Sequence, residues 1–479
     1  MARWPANKWR VCLLLLSLVW PSFASPGDPK PTKWPLYPHK PLLLAWNAPT
    51  KDCDTRHGVH LQLEQFLLMA SPNENPKPHL TVFHKDLGLY PHIARDGTLV
   101  NNGLPQSVSL SRHLEEVLER VKRYIQPNAM GLAIIDWEEW RPLWSRNWDT
   151  KDVYRNQSRE LVAQKNPTWP QNQVSKVAHQ EFELSGRKLM LETLRLAKSL
   201  RPEQLWGFYL FPDCYNHNYR NSLENYTGRC PDVEVARNEQ LRWLWLESSA
   251  LFPSIYLDPV LRSTPFARLY TRNRVKEGMR LASAGEGLAR PVFVCASPTY
   301  TKELQVLSED DLVATIGESV ALGAAGVILW GDDSYAASRE SCASMNQYVS
   351  GPLGRYLLNV TTAAEHCSRA LCGSNGRCLR RRADADAYLH LSPLARRIAA
   401  DRAGRLRVEA VGEGARDGDE DWAQDFRCQC FSGFLGDGCA QSDPAHQRGA
   451  APTLGAWRAW PTLPLLLVAV TVSRGHLVK

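Results

Sequence analysis

Two carboxylates fall among aromatic residues in the stretch 131–140, GLAIIDWEEW. Leu132 to Ile135 reads as a buried strand, and Asp136 and Glu138 come at its carboxyl end. Side chains at i and i+2 of a strand point the same way, so Asp136 and Glu138 are expected to project together while Trp137 faces the other side. Two carboxylates held close cannot both ionise freely, so one keeps its proton to a higher pH. A glycosidase needs such an acid to protonate the departing sugar oxygen. Alone, D-x-E is a weak signal, because exposed carboxylates at any strand end read the same way.

The elements that must position this pair run from about residue 41 to residue 350, where short apolar runs alternate with helical spacing. Expected strands are 42–46, 80–83, 131–137, 205–211, 254–257, 291–295 and 326–330. Most are near-continuous apolar runs, as in parallel strands buried on both faces. Expected helices are 110–124, 174–200, 237–249, 273–281 and 310–322, the last with Ser308 and Asp311 as a capping box. This alternation argues for an α/β chain folded as a distorted (β/α) barrel of the TIM type, with the carboxylates at the strand ends where such barrels carry their sites. An open doubly wound sheet is the alternative, but no G-x-G-x-x-G follows a strand.

The two ends carry short apolar runs. Basic residues Arg3, Lys8 and Arg10 precede an apolar run at 11–20, the layout of a cleavable secretory leader over residues 1–24 rather than an anchor. At the other end, Gly449, Ala450 and Ala451 precede the run at 461–472, which reads as a glycosylphosphatidylinositol attachment signal near Gly449. The residues 473–479 after that run count against it, so a secreted or lysosomal chain stays open beside a cell-surface one. The net charge of +7 loses three basic residues with the leader and three with the tail, leaving about +1. Bulk charge therefore points to no polyanion, nucleic acid included. Of twelve cysteines Cys12 leaves with the leader, and eleven in an oxidising compartment suggest five bridges and one thiol. Sequons at Asn156, Asn225 and Asn359 fit that compartment. No His/Cys/Asp spacing suggests a metal, and no cofactor is expected.

Near residue 365 the text changes. The spacing C-x4-C-x5-C at Cys367, Cys372 and Cys378, then C-x-C-x8-C at Cys428, Cys430 and Cys439, resembles an EGF-like module. The resemblance implies the pairs Cys367–Cys378, Cys372–Cys428 and Cys430–Cys439. It departs in an insertion at 379–427, rich in Arg, Ala, Asp and Gly, which reads as largely disordered. The organisation expected is thus a leader at 1–24, a catalytic barrel at 25–362, an EGF-like module at 363–440, and a linker and tail at 441–479.

The stretch 136–148, DWEEWRPLWSRNW, resembles the signature of animal hyaluronidases. The resemblance continues in LWGFYLFPDCYN (205–216), SIYL (254–257) and GESVALGAAGVILWG (317–331), and covers about residues 41–439. It implies a monomeric endo-β-N-acetylhexosaminidase acting on the β-1,4 links of hyaluronan, and of chondroitin as a second substrate, with retention. Glu138 would be the acid and then the base. The substrate's own acetamido oxygen would be the nucleophile, with Asp136 stabilising that group and Tyr209 hydrogen-bonded to it. Tyr256, Trp330 and Arg141 would line the cleft, and Arg274 would meet the glucuronate carboxylate or its neighbouring hydroxyls. Cys53–Cys342 would close the barrel, Cys214–Cys230 would clip a loop, and Cys295 would stay a buried thiol. Two departures stand out: His84 where relatives often have tyrosine, and Ser297 where they place a basic residue. A feebly active hyaluronan-binding or receptor protein is the competing reading.

Overall fold

The apolar runs form short parallel strands: β1 (Leu43–Asn47), β2 (Leu68–Met69), β3 (His79–Phe83), β4 (Gly131–Ile135), β5 (Gln204–Phe208), β6 (Phe293–Ala296) and β7 (Gly326–Trp330). A computed structural model describes residues 29–69, 79–402, 404–411 and 422–443. The expected leader and attachment signal lie outside the described residues.

The strands make two sheets, ordered β2-β1-β7-β6 and β3-β4-β5, with every pairing parallel. Between β5 and β6 the expected strand at 254–257 is replaced by isolated parallel bridges. Tyr209 pairs with Phe252, Leu251 with Val292, and Ser254 with Cys295. Pro253 interrupts this segment, and a proline cannot donate to a ladder. Side chains alternate between two apolar sets. Leu43, Leu80, Leu132, Ile134, Leu205, Phe252, Phe293 and Ile328, drawn from both sheets, share one cluster. Leu44, Phe83, Ala133, Ile135, Trp206, Phe208, Val294 and Val327 point the other way and pack with helical residues such as Val117, Phe182 and Val275. Period-two alternation with both faces covered is what a parallel sheet under helices requires.

The helices are α1 (Lys51–Thr55), α2 (Leu110–Tyr124), α3 (Asp152–Lys165), α4 (Gln171–Leu200), α5 (Asp232–Gln240), α6 (Arg242–Glu247), α7 (Pro265–Ala282), α8 (Arg339–Ser350) and α9 (Pro352–Cys372). The helix expected at 310–322 is broken by a π turn at Val313–Gly317. Ser308 caps it through the Asp311 N–H. The box stays half made: the Asp311 carboxylate instead accepts from Ser263 N at 2.9 Å and from the Tyr300 hydroxyl at 2.5 Å. Among the described residues no helix is long and apolar enough to cross a membrane, and no group of His, Cys, Asp and Glu is arranged to hold a metal.

Five disulfides join Cys53–Cys342, Cys214–Cys230, Cys367–Cys378, Cys372–Cys428 and Cys430–Cys439. Cys295 is a buried free thiol. The boundary expected at 362/363 falls inside α9, which runs through it unbroken and carries Cys367 and Cys372. Over its described residues, 379–402, 404–411 and 422–427, the insertion expected to be disordered carries regular structure. Strand β8 (Gly376–Arg380) pairs antiparallel with β11 (Phe426–Cys430), and between them lies a hairpin of β9 (Arg396–Ala400) and β10 (Leu406–Ala410). Its basic composition hides specific partners. Arg380 and Arg272 both bind the buried Glu318, the His390 ring meets the Tyr356 hydroxyl at 3.0 Å, and Leu391 N donates to Asn359 Oδ1 at 2.9 Å. The Asn359 sequon is therefore half-buried on α9, whereas Asn156 on α3 and Asn225 in a loop are exposed.

Candidate active site

Parallel register sets Phe83, Ile135 and Phe208 side by side on β3, β4 and β5. The next residues on these strands are His84, Asp136 and Tyr209. Asp136 N donates to Phe83 O at 2.8 Å and Tyr209 N to Ile135 O at 2.9 Å, so the ladder carries them on as one row. By alternation the row shares the face of Ile134 and Leu132, and Tyr209 joins that inner cluster. Trp137 turns outward into the helical layer, 3% exposed, with its indole N–H donating to His84 O at 3.2 Å.

Asp136 is held on one oxygen only. Oδ2 lies 2.8 Å from His84 Nδ1, while Oδ1 is buried without a partner. Glu138, two residues on, keeps 47% of its side-chain surface open, so a substrate oxygen can reach it. Burial against the cleft wall, and then the Asp136 charge, raise its proton affinity. Its backbone is fixed instead: its carbonyl accepts from Arg141 Nη1 at 2.8 Å and from Lys151. Burial and the Arg141 charge lower Lys151 to about 8. Arg141, 7% exposed, also reaches toward Glu138 Oε2 at 3.7 Å. The following turn is braced by Asn147, which accepts from Arg141 N and donates to Arg141 O, both at 2.8 Å.

Across the row, Tyr209 stacks on Trp330 with centroids 4.8 Å apart and stands 6.5 Å from the Tyr256 ring. Burial, then the Glu138 charge, push the Tyr209 hydroxyl well above its usual range, so it stays a neutral hydrogen-bonding group. The Trp330 indole N–H has no oxygen or nitrogen partner and interacts with the Cys295 sulfur beneath it. Burial raises that thiol, which leaves it protonated and unreactive. Ser297 lies within a hydroxyl cluster, 3.1 Å from the Tyr335 hydroxyl and 3.3 Å from Thr299 Oγ1.

Arg274 is the sequence-derived residue that the structure does not present to a ligand. It is 3% exposed, and its three guanidinium nitrogens bind Ser254 O at 2.5 Å, Asn216 Oδ1 at 3.2 Å and Asp213 Oδ1 at 2.8 Å. With a partner on every nitrogen, the fork clamps the loop after β5. Lys151 was missed, and only tertiary folding brings it back to Glu138. His84 stood out as a departure, but nothing in the sequence tied it to Asp136.

The geometry can therefore deliver a proton from Glu138 and offer a buried carboxylate oxygen beside it. The hyaluronidase family model (Glyco_hydro_56) matches residues 31–443. The chain belongs to the hyaluronidase family. It is similar to rat hyaluronidase-2, 46% identical over 466 residues that cover 96% of this chain and 97% of the rat protein. It is also similar to human hyaluronidase-2, 48% identical over 445 residues, 92% and 93% of the two chains. Hyaluronidase-1 of Bitis arietans is 42% identical over 417 residues, 86% of this chain and 93% of its own. Among solved structures, bee venom hyaluronidase in complex with a hyaluronic acid tetramer matches with a TM-score of 0.56 at 27% identity, covering 66% of this chain and 98% of that one. The protein is thus a hyaluronidase, a glycoside hydrolase.

Proposed function

We propose that this hyaluronidase hydrolyses internal β-1,4 linkages of hyaluronan with retention, using the substrate's acetamido group as nucleophile. The observation that carries the reading is the buried, unpartnered Oδ1 of Asp136 next to a glutamic acid whose proton affinity is raised. Glu138 gives its proton to the departing glycosidic oxygen. The acetamido carbonyl oxygen attacks the anomeric carbon and closes a cationic oxazolinium ring. Its N–H meets Asp136 Oδ1, and the carboxylate offsets the positive charge that develops on nitrogen. Glu138, now an anion, takes a proton from water, whose oxygen opens the ring from the face the leaving group left. Tyr209 donates to the acetamido group, and Tyr256, Trp330 and Arg141 shape the cleft. Chondroitin, with a closely related repeat, is the second substrate. The hyaluronan complex of the bee venom relative supports this substrate class.

The inner cluster shared by both sheets, and the bridges through 251–254, support a single (β/α) barrel. The first-with-third, second-with-fourth and fifth-with-sixth disulfides support an EGF-like module grafted onto the end of α9. Five disulfides support passage through the secretory pathway. The retained-cleft reading, a hyaluronan binder with feeble turnover, draws support from His84 occupying one Asp136 oxygen. Reducing-end assays on hyaluronan oligosaccharides separate the two. Intact oligosaccharides should be cleaved, and those stripped of N-acetyl groups should bind without turnover. A sugar trapped covalently on Asp136 would replace the acetamido nucleophile with a carboxylate one.

A further inference from the structure

We infer that His84 is a positioning residue that aims Asp136, so that a residue outside the carboxylate pair shapes the acid side of the activity profile. The inference rests on the hydrolytic reading above.

His84 Nδ1 lies 2.8 Å from Asp136 Oδ2, with the imidazole side chain 62% exposed and the aspartate 13% exposed. The contact is fixed from both sides. The Trp137 indole holds the His84 carbonyl at 3.2 Å, and the Asp136 N–H binds the neighbouring Phe83 carbonyl at 2.8 Å. With Oδ2 engaged by the imidazole, Oδ1 is the oxygen left to accept from a substrate N–H. His84 therefore decides which way the carboxylate is turned.

The charges around the imidazole favour its proton. Asp136 and Glu138 face it from the segment after β4, and Asp86 from its own loop. Asp86 is 3.7 Å from Arg120 of α2, and the adjacent Lys85 pairs with Glu139. The Asp136 hydrogen bond raises the His84 pKa, against the lowering by partial burial. The charged pair is thus complete below the ordinary imidazole range and dissolves as pH rises through the raised value. An imidazolium donating to Oδ2 makes a charge-assisted hydrogen bond, stronger than a neutral one. The charged pair thus holds Asp136 in one orientation on the acid side of the profile. Without His84 no cation stands beside Asp136, and nothing holds Oδ2 so that Oδ1 faces the substrate.

The test compares wild type with His84→Asn, which keeps a donor but no charge, and His84→Phe, which keeps neither. Profiles of kcat/KM against pH on hyaluronan are each scaled to their own maximum. Both variants should lose roughly threefold or more of the wild-type signal on the acid side. His84→Phe should in addition show a lower maximal kcat. A fall uniform across pH, or a change confined to KM, overturns the inference. A second readout needs no turnover: the His84 ring is titrated by NMR in wild type and in Asp136→Asn. Its midpoint should drop toward that of free imidazole in the variant, and an unmoved midpoint overturns the inference. A wild type that titrates as expected but never cleaves hyaluronan defeats the hydrolytic reading instead.

Discussion

Asp136 and Asp213 are both aspartates in the loops at the carboxyl ends of neighbouring strands, one partly and one fully buried, and they are treated in opposite ways. Asp213, 6% exposed, accepts from Cys214 N at 2.7 Å, from Tyr215 N at 3.1 Å and from Arg274 at 2.8 Å. Burial pulls its carboxyl up, but the Arg274 charge and the Tyr215 N–H outweigh it and hold the carboxyl below the usual range. Asp136 has one partner and one bare oxygen. Polar groups left unpaired in a folded interior carry a cost in stability, so they persist where a ligand is to complete them. The aspartate that gathers two backbone donors and an arginine on one oxygen belongs to the scaffold, and the one that leaves an oxygen buried and bare belongs to the chemistry.

The comparison breaks most sharply at Glu138. Glu138→Gln should lower kcat roughly 10²–10⁴-fold, since the amide cannot deliver the proton, while the melting temperature stays near wild type. Asp136→Asn should also be severe, and the double variant should be little worse than either single one, because both groups serve one transition state. Near-additive losses in steady-state kinetics would separate the two roles.

Arg274→Met should act on the other side of the contrast. It leaves Asp213 buried without its counterion and should cost about 3–5 kcal/mol of stability. Urea unfolding should report this loss, with kcat per folded molecule far less affected than in Glu138→Gln. A stable Arg274→Met protein that has lost only substrate affinity would return Arg274 to the cleft.

His113 extends the contrast to a buried base. Leu89 N donates to its Nδ1 at 2.9 Å, so Nε2 carries the proton toward Thr193 Oγ1 at 2.7 Å. Burial lowers it from 6.5 to about 4. The unfolded chain therefore takes up a proton that the folded one refuses. Stability should fall by roughly 3 kcal/mol as pH drops through this window and level off below it. His113→Gln should flatten that part of the curve in thermal melts. The smallest effect is expected from Lys151→Met, which removes a donor to the Glu138 and Glu139 carbonyls. About 1 kcal/mol of lost positioning corresponds to a fivefold lower kcat with little change in melting temperature.

What the sequence could tell follows local physics closely. The runs that became β1, β3, β4, β6 and β7 are apolar enough to announce themselves, and strand parity alone set Trp137 against its two acidic neighbours. The segment around Pro253 looked like a strand because its neighbours are apolar, but whether it pairs depends on backbone donors. Helix α9 was hidden by the cysteines it carries, which suggested a small separate module where a helix continues. The insertion read as disordered because Arg and Asp are usually solvated, and nothing local shows that Arg380 meets Glu318, 62 positions earlier. The partners of Arg274 were hidden for the same reason. Its helix says nothing of Asp213, and an arginine's work is decided by the partner it finds.

The Cys53–Cys342 bond spans 289 positions and encloses six of the seven parallel strands, β2 to β7, and the whole candidate site. Any single backbone cut between those two residues would leave both pieces on one covalent molecule. A nick in an exposed loop by a protease would then pass unseen on a non-reducing gel and appear as two fragments only after reduction. With the pieces still tethered and packed, such a clipped molecule keeps Glu138, Asp136 and Tyr209 in one assembly, so damage to the chain and loss of the site become separate events.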